Sequence, residues 1–482
     1  MIFMSDFENR LKAIEADLRV LVTDDHNRNF FITTPEVDLQ CQEIGCEILK
    51  ENPQLLAEKK VNKNLVVYIT GALYTKGGHT REIEDWIKTT YSDKKNIILL
   101  SSPTRNSNLQ QLENLKAQNI EVLYTQETGL VERIKWLQQK LFELAPQAVI
   151  VSTTPTDLVS LATLQPELLN KLYWNLSIDS GVSIGVHLAP ITKIIVKRPY
   201  FYFLLRDQLQ LKNLAYIPFN RPDVIGKREQ YVSTAADKKI ITASCTSACY
   251  KIESEYKYRF VEVVPNILKI TGGKHFHYGD ISQNGLARIY ENMDRLGVSR
   301  QNFVRVNYVP SLAKALIEDN VDILLQTFPF GGGLVTIEAL QAGKMIINQK
   351  NYATYLNNLS DFCYKNAFSW KAPQDLYDYL RNLSREEIIR QSRLSRHTYE
   401  QEHDSNHLRA VGAIENMTGI EIESRKNEIA AMYEYTLNYY QKFLDEGRAR
   451  KIGKVKKKNL LERLRRSFKK RYEKLMNKVK AS

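Results

Sequence analysis

The sequence predicts an α/β protein with two doubly wound parallel sheets in tandem. Short, continuously apolar and β-branched runs alternate with amphipathic stretches, which is the pattern of parallel strands covered by helices on both faces. The alternation occurs twice, and a turn-rich stretch at 218–223 separates the two series. We therefore expect two Rossmann-like domains that face a cleft, with ligands at the carboxyl ends of the strands.

Each predicted strand is a short apolar run. The first series has strands at 65–70, 96–101, 120–125, 147–152, 171–176 and 191–197. The second series has strands at 238–245, 274–280, 302–309, 321–327 and 345–349.

Helical apolar spacing surrounds these two series. It occurs at 5–22, 39–58, 375–400 and 421–446. The expected organisation is an N-terminal helical segment at 1–60, a first domain at 61–230, a second domain at 231–415, a helix at 416–447 that crosses back, and a basic tail at 448–482.

Composition favours a globular protein in a reducing compartment. Hydrophobic residues make up 43% and charged residues 26% of the 482 residues. No run approaches the roughly 20 apolar residues that a transmembrane helix needs, and the start has no signal-peptide pattern. The five cysteines include no CxxC pair, which argues against a disulfide framework or a zinc site. We expect a cytoplasmic protein.

The tail carries the whole charge excess. Residues 448–482 hold ten lysines and six arginines against two glutamates, so the remaining chain has a net charge of −1 within the total of +13. A basic nucleic-acid-binding face would normally be spread over the fold.

The tail has the spacing of a basic amphipathic helix, which is suited to an anionic lipid surface. The residues expected to meet the membrane are Leu461, Leu464, Phe468, Lys469, Lys470, Arg471, Tyr472 and Leu475. RNA and a partner helix are the alternative ligands. The aromatic residues lie on the apolar face rather than interleaved for base stacking, so we favour the membrane and expect no nucleic acid.

The first strand leads into a glycine-rich loop at 71–81. Gly77 and Gly78 permit close approach of a ligand to the backbone, and the following helix offers free N–H groups to an anion. His79 and Arg81 would project at the cleft. The loop lacks the GxGxxG fingerprint of dinucleotide-binding proteins, and an ordinary strand–helix turn is the alternative.

A second glycine-rich loop lies within 322–344, between a buried strand and a helix. Its backbone amides are suited to wrapping a diphosphate, with the Thr336 hydroxyl added, and Glu338 is suited to accepting hydrogen bonds from ribose. The candidate donor-binding residues are Gly331, Gly332, Gly333, Leu334, Val335, Thr336 and Glu338. A merely tight turn is the alternative.

This segment, with its EAL-x-AGK continuation, resembles the donor-binding element of GT-B-fold glycosyltransferases. In the retaining branch of that superfamily a Glu-x7-Glu pair occurs, and Glu338 matches the second glutamate. Phe330 stands where the first would fall. The FPFGGG motif is more similar to that of the inverting branch, which contains O-GlcNAc transferase-like enzymes and bacterial adhesin N-glycosyltransferases.

Two further stretches are similar to that branch. The stretch SCTSACYKI at 244–252 resembles one whose lysine contacts the donor diphosphate, which implies donor contacts from Ser244, Thr246 and Lys251. A cation there would neutralise charge that develops on the leaving diphosphate. A surface lysine is the alternative. The stretch 307–313 occupies the place where relatives read the base, which implies Tyr308 and Val309.

The first domain resembles the family more loosely. Some bacterial relatives carry a His-Ala-Asp-His-x-Phe-Trp-x-Gly signature, of which Asp179 and Gly185 match while Ser177 and Ser180 replace the histidines. His79 and Asp179 are therefore the candidates for the base that deprotonates an acceptor hydroxyl.

Other histidines carry weaker signals. His403 and His407 have the spacing of metal ligands, but a solvated helix end is the preferred interpretation. His275 and His277 alternate along a strand, so one of them is expected to face the cleft.

Together with these features, the resemblance to GT-B enzymes implies a hexosyltransferase-type enzyme without a cofactor or a bound metal. It would move sugar from a nucleotide-sugar, with a UDP-sugar favoured, to a membrane-associated acceptor, namely a lipid-linked glycan or a bacterial surface polysaccharide. Its expected location is the inner face of the plasma membrane, as a peripheral protein. A protein glycosyltransferase and a catalytically inactive GT-B subunit that binds an acceptor or partner are the alternatives, and homo-oligomerisation is left open.

Overall fold

The structure is a computed structural model of the chain. It describes residues 2–426 except 24–34, 59, 75–77, 103–108, 155, 177–183, 189–191, 209, 237 and 351–358. The predicted basic helix at 448–482 lies outside the described residues, as does most of the predicted helix at 421–446. Within the described ranges, no helix combines the length and apolarity that crossing a bilayer requires.

Seven parallel strands form the first sheet, in the order β3-β2-β1-β4-β5-β6-β7. They are β1 (Asn62–Thr70), β2 (Lys95–Leu100), β3 (Glu121–Leu123), β4 (Pro146–Val151), β5 (Leu172–Leu176), β6 (Thr192–Val196) and β7 (Leu214–Tyr216).

Six parallel strands form the second sheet, in the order β10-β9-β8-β11-β12-β13. They are β8 (Thr242–Thr246), β9 (His275–Gly279), β10 (Phe303–Val306), β11 (Ile323–Leu325), β12 (Met345–Gln349) and β13 (Ser369–Trp370).

Helices connect the strands and cover both sheets. In the first half they are α1 (Ile2–Thr23), α2 (Pro35–Lys50), α3 (Gly78–Thr89), α4 (Leu109–Ala117), α5 (Leu130–Leu144), α6 (Leu158–Thr163) and α7 (Pro199–Phe203). In the second half they are α8 (Tyr250–Glu253), α9 (Phe260–Thr271), α10 (Gln283–Leu296), α11 (Leu312–Glu318), α12 (Gly333–Gln341), α13 (Pro373–Arg381), α14 (Arg385–Glu402), α15 (Ser405–Ala410) and α16 (Ala413–Asn416).

The fold class predicted from the sequence is confirmed, and all eleven predicted strands are present. Two strands were missed, β7 and β13, because runs of three and two residues are too short to show an apolar pattern. The helical spacing predicted at 375–400 is confirmed, and it belongs to α13 and α14. The two helices are separate because Ser384 caps the start of α14, where its hydroxyl accepts a hydrogen bond from the Glu387 N–H at 3.2 Å.

Alternation along the strands builds a core on each face of each sheet. In β1, Val67 and Ile69 face one apolar cluster, whereas Val66 and Tyr68 face another. The first of these clusters also takes in Leu11 of α1 and Ile44 of α2. The N-terminal helices therefore pack as part of the first domain.

The chain passes between the two halves at two adjacent segments. Arg221 lies on the outgoing segment, and its backbone pairs with the returning chain through the His403 carbonyl at 2.9 Å and the Ser405 N–H at 3.1 Å. Beyond that point Leu408, Ile414 and Met417 pack into the apolar cluster around Tyr68. The return to the first domain is thus made within 405–422, whereas most of the predicted crossing helix at 416–447 lies outside the described residues.

Candidate functional site

The lysine-bearing motif and the glycine-rich motif of the second domain follow two neighbouring strands of its sheet. Strands β8 and β11 are neighbours, and the strand order runs outward from this pair in both directions. The loop after β8 leads to Lys251, and the loop after β11 leads to the glycines before α12. Ligands of open α/β sheets bind at such a switch point, outside the carboxyl ends of the strands.

Direct contacts join these two loops. The Lys251 ammonium donates to the Gly331 carbonyl at 3.3 Å, and the Phe330 N–H donates to the Lys251 carbonyl at 3.3 Å. The rings of Tyr250 and Phe330 meet edge to face, with centroids 5.9 Å apart. Lys251 is therefore fixed against the glycine-rich loop rather than extended into solvent.

The glycines allow tight packing at the start of α12. A Cβ on Gly331 would approach Leu359 Cδ1 to 2.6 Å, and one on Gly332 would approach Val335 Cγ2 to 3.1 Å. Gly332 is also the N-cap residue and has no side chain to satisfy the first N–H groups of the helix. The same glycines therefore permit the tight turn and leave the first N–H groups of α12 uncapped, where an anion would bind.

Thr336 is held inside this loop. Its side chain is fully buried, its hydroxyl donates to the Gly332 carbonyl at 3.0 Å, and it accepts a hydrogen bond from the Gln326 amide. The structure therefore shows Thr336 bracing the loop, and its expected contact with a diphosphate stays a prediction. Leu334 and Val335 are partly buried at the loop's surface.

Glu338 lies one turn further along α12 and is almost fully enclosed, with its side chain 6% exposed. Oε2 accepts from the N–H groups of Leu312 at 2.6 Å and Ala313 at 3.2 Å, at the start of α11. Oε1 lies 3.3 Å from Nη1 of Arg81 and 3.7 Å from Nη2 of Arg221. The carboxylate thus holds α11 with one oxygen and faces two guanidinium groups with the other.

The glycine-rich loop of the first domain approaches this helix directly. Gly78 begins α3, and a Cβ on it would come within 3.3 Å of Leu334 Cδ1. His79 lies partly buried in the first turn of α3, and Arg81 also donates to the Pro310 carbonyl. The structure therefore brings together Gly78, His79, Arg81 and the start of α12. Gly77 and Asp179 lie outside the described residues.

Two charged residues near Glu338 were missed by the sequence reasoning. Arg221 pairs with Asp85 of α3 at 2.7 Å, and burial raises the pKa of Asp85 to about 6 although Arg221 opposes the rise. Arg221 stands in a turn-rich stretch that resembles a solvated loop, so no local pattern signals that it is buried. Only the crossing of the two chain segments places it between Asp85 and Glu338.

The candidate base-reading loop lies between β10 and α11. Tyr308 is 49% exposed and Val309 is partly buried. The Pro310 carbonyl that follows accepts from Arg81, so this loop, Glu338 and Arg81 share one corner of the cleft.

Ser244 is inside the second domain, which corrects the expectation that it contacts a donor. Its side chain is fully buried, and its hydroxyl lies 2.8 Å from Nε2 of His275 and 2.8 Å from Nδ1 of His277. Burial lowers the pKa of His277 to about 4. Both histidines are buried on the same side of the sheet, so neither faces the cleft as expected. Thr246 is buried too, and its hydroxyl donates to the Ala248 carbonyl at 3.0 Å.

His403 is likewise interior, and the predicted solvated helix end is wrong there. The ring is 1% exposed, and Nδ1 lies 2.9 Å from the Phe219 carbonyl at the crossing between the domains. Burial lowers the pKa of His403 to about 4. Among the described side chains, no group of three or more His, Cys, Asp or Glu residues is arranged to hold a metal ion.

Comparison with known proteins reveals likeness at the level of the fold. No protein-family model and no curated sequence matches the chain. Anabaena HepE in complex with UDP and glucose matches with a TM-score of 0.53 at 13% identity, over 73% of this chain and 99% of that chain.

Two other solved structures match over the same share of the chain. TarM has a TM-score of 0.52 at 11% identity, and the lipopolysaccharide outer core galactosyltransferase WaaB, in its apo form, has 0.50 at 12% identity. Each match covers 73% of this chain and 98% of the other. With two parallel-sheet domains arranged as in these structures, the chain has the GT-B fold.

Proposed function

We propose that this protein is a nucleotide-sugar-dependent glycosyltransferase that holds its donor on the second domain and its acceptor on the first. The observation that carries the proposal is the assembly of Lys251, the glycine-rich loop and Glu338 at the switch point of the second sheet. HepE, which shares this fold, has been crystallised with UDP and with UDP-glucose, which favours a UDP-sugar as donor.

The donor site combines a cation with a bare helix start. The diphosphate would lie against the first N–H groups of α12, whose cap residue Gly332 has no side chain, with the Lys251 ammonium beside it. As the glycosidic bond breaks, negative charge grows on the leaving diphosphate. A cation already held in place by the Gly331 carbonyl stabilises that charge more than it stabilises the bound donor, which lowers the barrier.

In an inverting transfer the acceptor hydroxyl requires a base on the opposite side of the cleft. His79 lies in the first turn of α3, beside the Gly78–Leu334 contact between the domains. Histidine titrates near neutral pH and suits this role, with Asp179 as the second candidate. A His79→Gln variant that retains donor binding but loses transfer would support His79.

A membrane-associated glycan acceptor fits the amphipathic tail at 448–482, whose sequence pattern is the support for this part of the proposal. It implies a protein held on the inner face of the plasma membrane. Full-length protein should sediment with vesicles of phosphatidylglycerol but not with vesicles of phosphatidylcholine, and a chain ending at residue 447 should bind neither. Phe468→Asp should abolish binding while leaving most of the charge. If Phe468→Asp binds RNA as tightly as wild type does, the tail's ligand would instead be a nucleic acid.

The decisive experiment measures donor binding and turnover by the purified full chain. UDP-glucose, other UDP-sugars and GDP-sugars are compared by calorimetry and by release of the free nucleotide. Lys251→Ala should weaken UDP binding by roughly tenfold or more, because it removes a charge-assisted contact. Lys251→Arg should retain part of the binding, and Lys269→Ala, which alters an exposed lysine of α9, should have no effect.

A catalytically inactive GT-B subunit is the second candidate, because serines replace both histidines of the bacterial signature in the first domain. It predicts binding of UDP without nucleotide release from any donor, with or without acceptor glycans. Failure of every nucleotide to bind would contradict both candidates.

A further inference from the structure

The guanidinium group of Arg81 crosses from the first domain to the second. Arg81 belongs to α3, yet Nη1 lies 3.3 Å from Glu338 Oε1 and Nη2 donates to the Pro310 carbonyl. Both acceptors belong to the second domain, one on α12 and one on the loop before α11. The side chain remains 31% exposed, so the cleft is open to solvent around it.

These two acceptors are the groups that a bound nucleoside would need. Oε2 of Glu338 is already taken by the N–H groups of Leu312 and Ala313, which leaves Oε1 as the oxygen for ribose hydroxyls. The Pro310 carbonyl is a backbone acceptor in the loop proposed to read the base. A nucleoside would donate to these two acceptors through its ribose hydroxyls and a base N–H. The Arg81 guanidinium, which carries only N–H donors, donates to the same two acceptors in the ligand-free protein.

Arg81 is also within electrostatic reach of the proposed diphosphate site. Lys251 contacts the Gly331 carbonyl in the loop that leads into α12, and Arg81 contacts Glu338 on the same helix. The two cations therefore border the same small region. A planar guanidinium group binds phosphate oxygens in a bidentate manner, which a lysine does not.

Glu338 would not be left uncompensated if Arg81 moved. Arg221 stays 3.7 Å from Oε1 and is anchored by Asp85 at 2.7 Å. The cost of releasing Arg81 is thus limited to one partly exposed ion pair and one hydrogen bond to a carbonyl.

We propose that Arg81 is an exchange residue of the donor site. In the ligand-free protein it occupies Glu338 and the Pro310 carbonyl in place of the nucleoside, and in the loaded protein it turns onto the diphosphate. The inference rests on the proposed function, and it makes a first-domain side chain part of the nucleotide site. Nucleotide binding then depends on the approach of α3 to α12.

The test compares uridine with UDP, because only UDP carries the diphosphate. In Arg81→Met the competitor for Glu338 is gone, so uridine should bind as tightly as in wild type or several-fold more tightly. UDP should bind roughly tenfold more weakly, since a charge-assisted contact is lost. The preference for UDP over uridine should therefore fall at least tenfold.

Two further variants keep the test independent of stability. Arg81→Lys retains the charge and should retain part of the preference for UDP, while Arg300→Met, which removes an exposed arginine paired with Asp294, should leave the preference unchanged. If Arg81→Met alters both affinities by the same factor, or alters neither, Arg81 is only an ion-pair partner and the inference is wrong. If wild type binds GDP rather than UDP, guanosine and GDP replace uridine and UDP in the same comparison, and if it binds no nucleotide the proposed function fails along with the inference.

Discussion

Arg198 and Asp361 form a buried bidentate ion pair that joins the two domains. Nε and Nη2 of the arginine donate to the two carboxylate oxygens at 3.0 and 2.8 Å, and the side chains are 2% and 0% exposed. Arg198 follows β6 of the first sheet, whereas Asp361 lies in the turn Ser360–Phe362 beyond β12 of the second. The Tyr200 N–H also donates to this carboxylate, at 3.3 Å.

Removal of one partner should destabilise the protein strongly, because the other charge would remain buried without compensation. We expect Asp361→Asn or Arg198→Met to lower the free energy of unfolding by about 3–5 kcal/mol. The double variant Arg198→Met/Asp361→Leu should recover a large part of this loss. Urea denaturation measures the effect. A double variant that costs as much as the two single variants added together would contradict the coupling.

The sequence was sufficient to predict the sheets but not the contacts between them. Runs such as 65–70 and 147–152 are apolar on both faces, and this pattern depends only on burial within one domain. Arg198 and Asp361 are separated by 163 positions, and nothing near either residue shows that it is interior. Such ion pairs depend on how the two domains pack against each other, and a local sequence pattern contains no information about that packing.

The same division holds within the candidate site. The positions of the glycines at 331–333 and of Lys251 beyond neighbouring strands could be predicted because a strand and a helix start flank each motif, while their contact with a donor stays a prediction. Ser244 was misplaced because it alternates with Cys245 at the end of a strand, and a one-residue difference in register moves a side chain from the cleft to the interior. Arg221 was missed because its partners lie on two other segments of the chain.

Ser244 should matter for stability rather than for donor binding. Its hydroxyl bridges the rings of His275 and His277, so Ser244→Ala leaves two buried ring nitrogens without their partner. We expect a loss of about 1–3 kcal/mol in the free energy of unfolding. Calorimetry should show unchanged affinity for UDP. A stable variant with weakened binding would return Ser244 to the donor site.

Lys197 should make stability rise with pH in the alkaline range. Its ammonium lies 3.2 Å from Glu82 and 4.2 Å from the centroid of the Trp86 ring, and burial lowers its pKa to about 8. Unfolding restores the ordinary pKa near 10.5, so between pH 8 and 10.5 the unfolded chain binds more protons than the folded one. The free energy of unfolding should therefore increase over this window, by at most about 1.4 kcal/mol per pH unit.

The matched variant for that measurement is Lys197→Met, which keeps much of the side chain's volume. The difference between wild type and variant should change steadily from pH 8 to 10 and stay constant from pH 6 to 7. A constant difference throughout would mean that Lys197 titrates normally in the folded protein.

Asp38 should have the opposite effect at lower pH. This carboxylate of α2 is fully buried and accepts from the N–H groups of Gly185 at 2.7 Å and His187 at 3.0 Å, where it fixes the turn that follows the segment containing Asp179. Burial raises its pKa to about 7, although the backbone donors oppose the rise. Between pH 4 and 7 the folded chain therefore binds a proton that the unfolded chain has released, so this group makes the free energy of unfolding fall as pH rises.

Comparison with Asp38→Asn isolates the effect of this carboxyl group, because the amide does not titrate. The stability of wild type relative to the variant should decrease from pH 4 to 7, by at most about 1.4 kcal/mol per pH unit, and should be constant above pH 8. Urea denaturation at pH 4.5, 6 and 7.5 measures this difference. A relative stability that instead increases over the same window would mean that the hydrogen bonds from Gly185 and His187 outweigh burial and hold the pKa of Asp38 below its ordinary value.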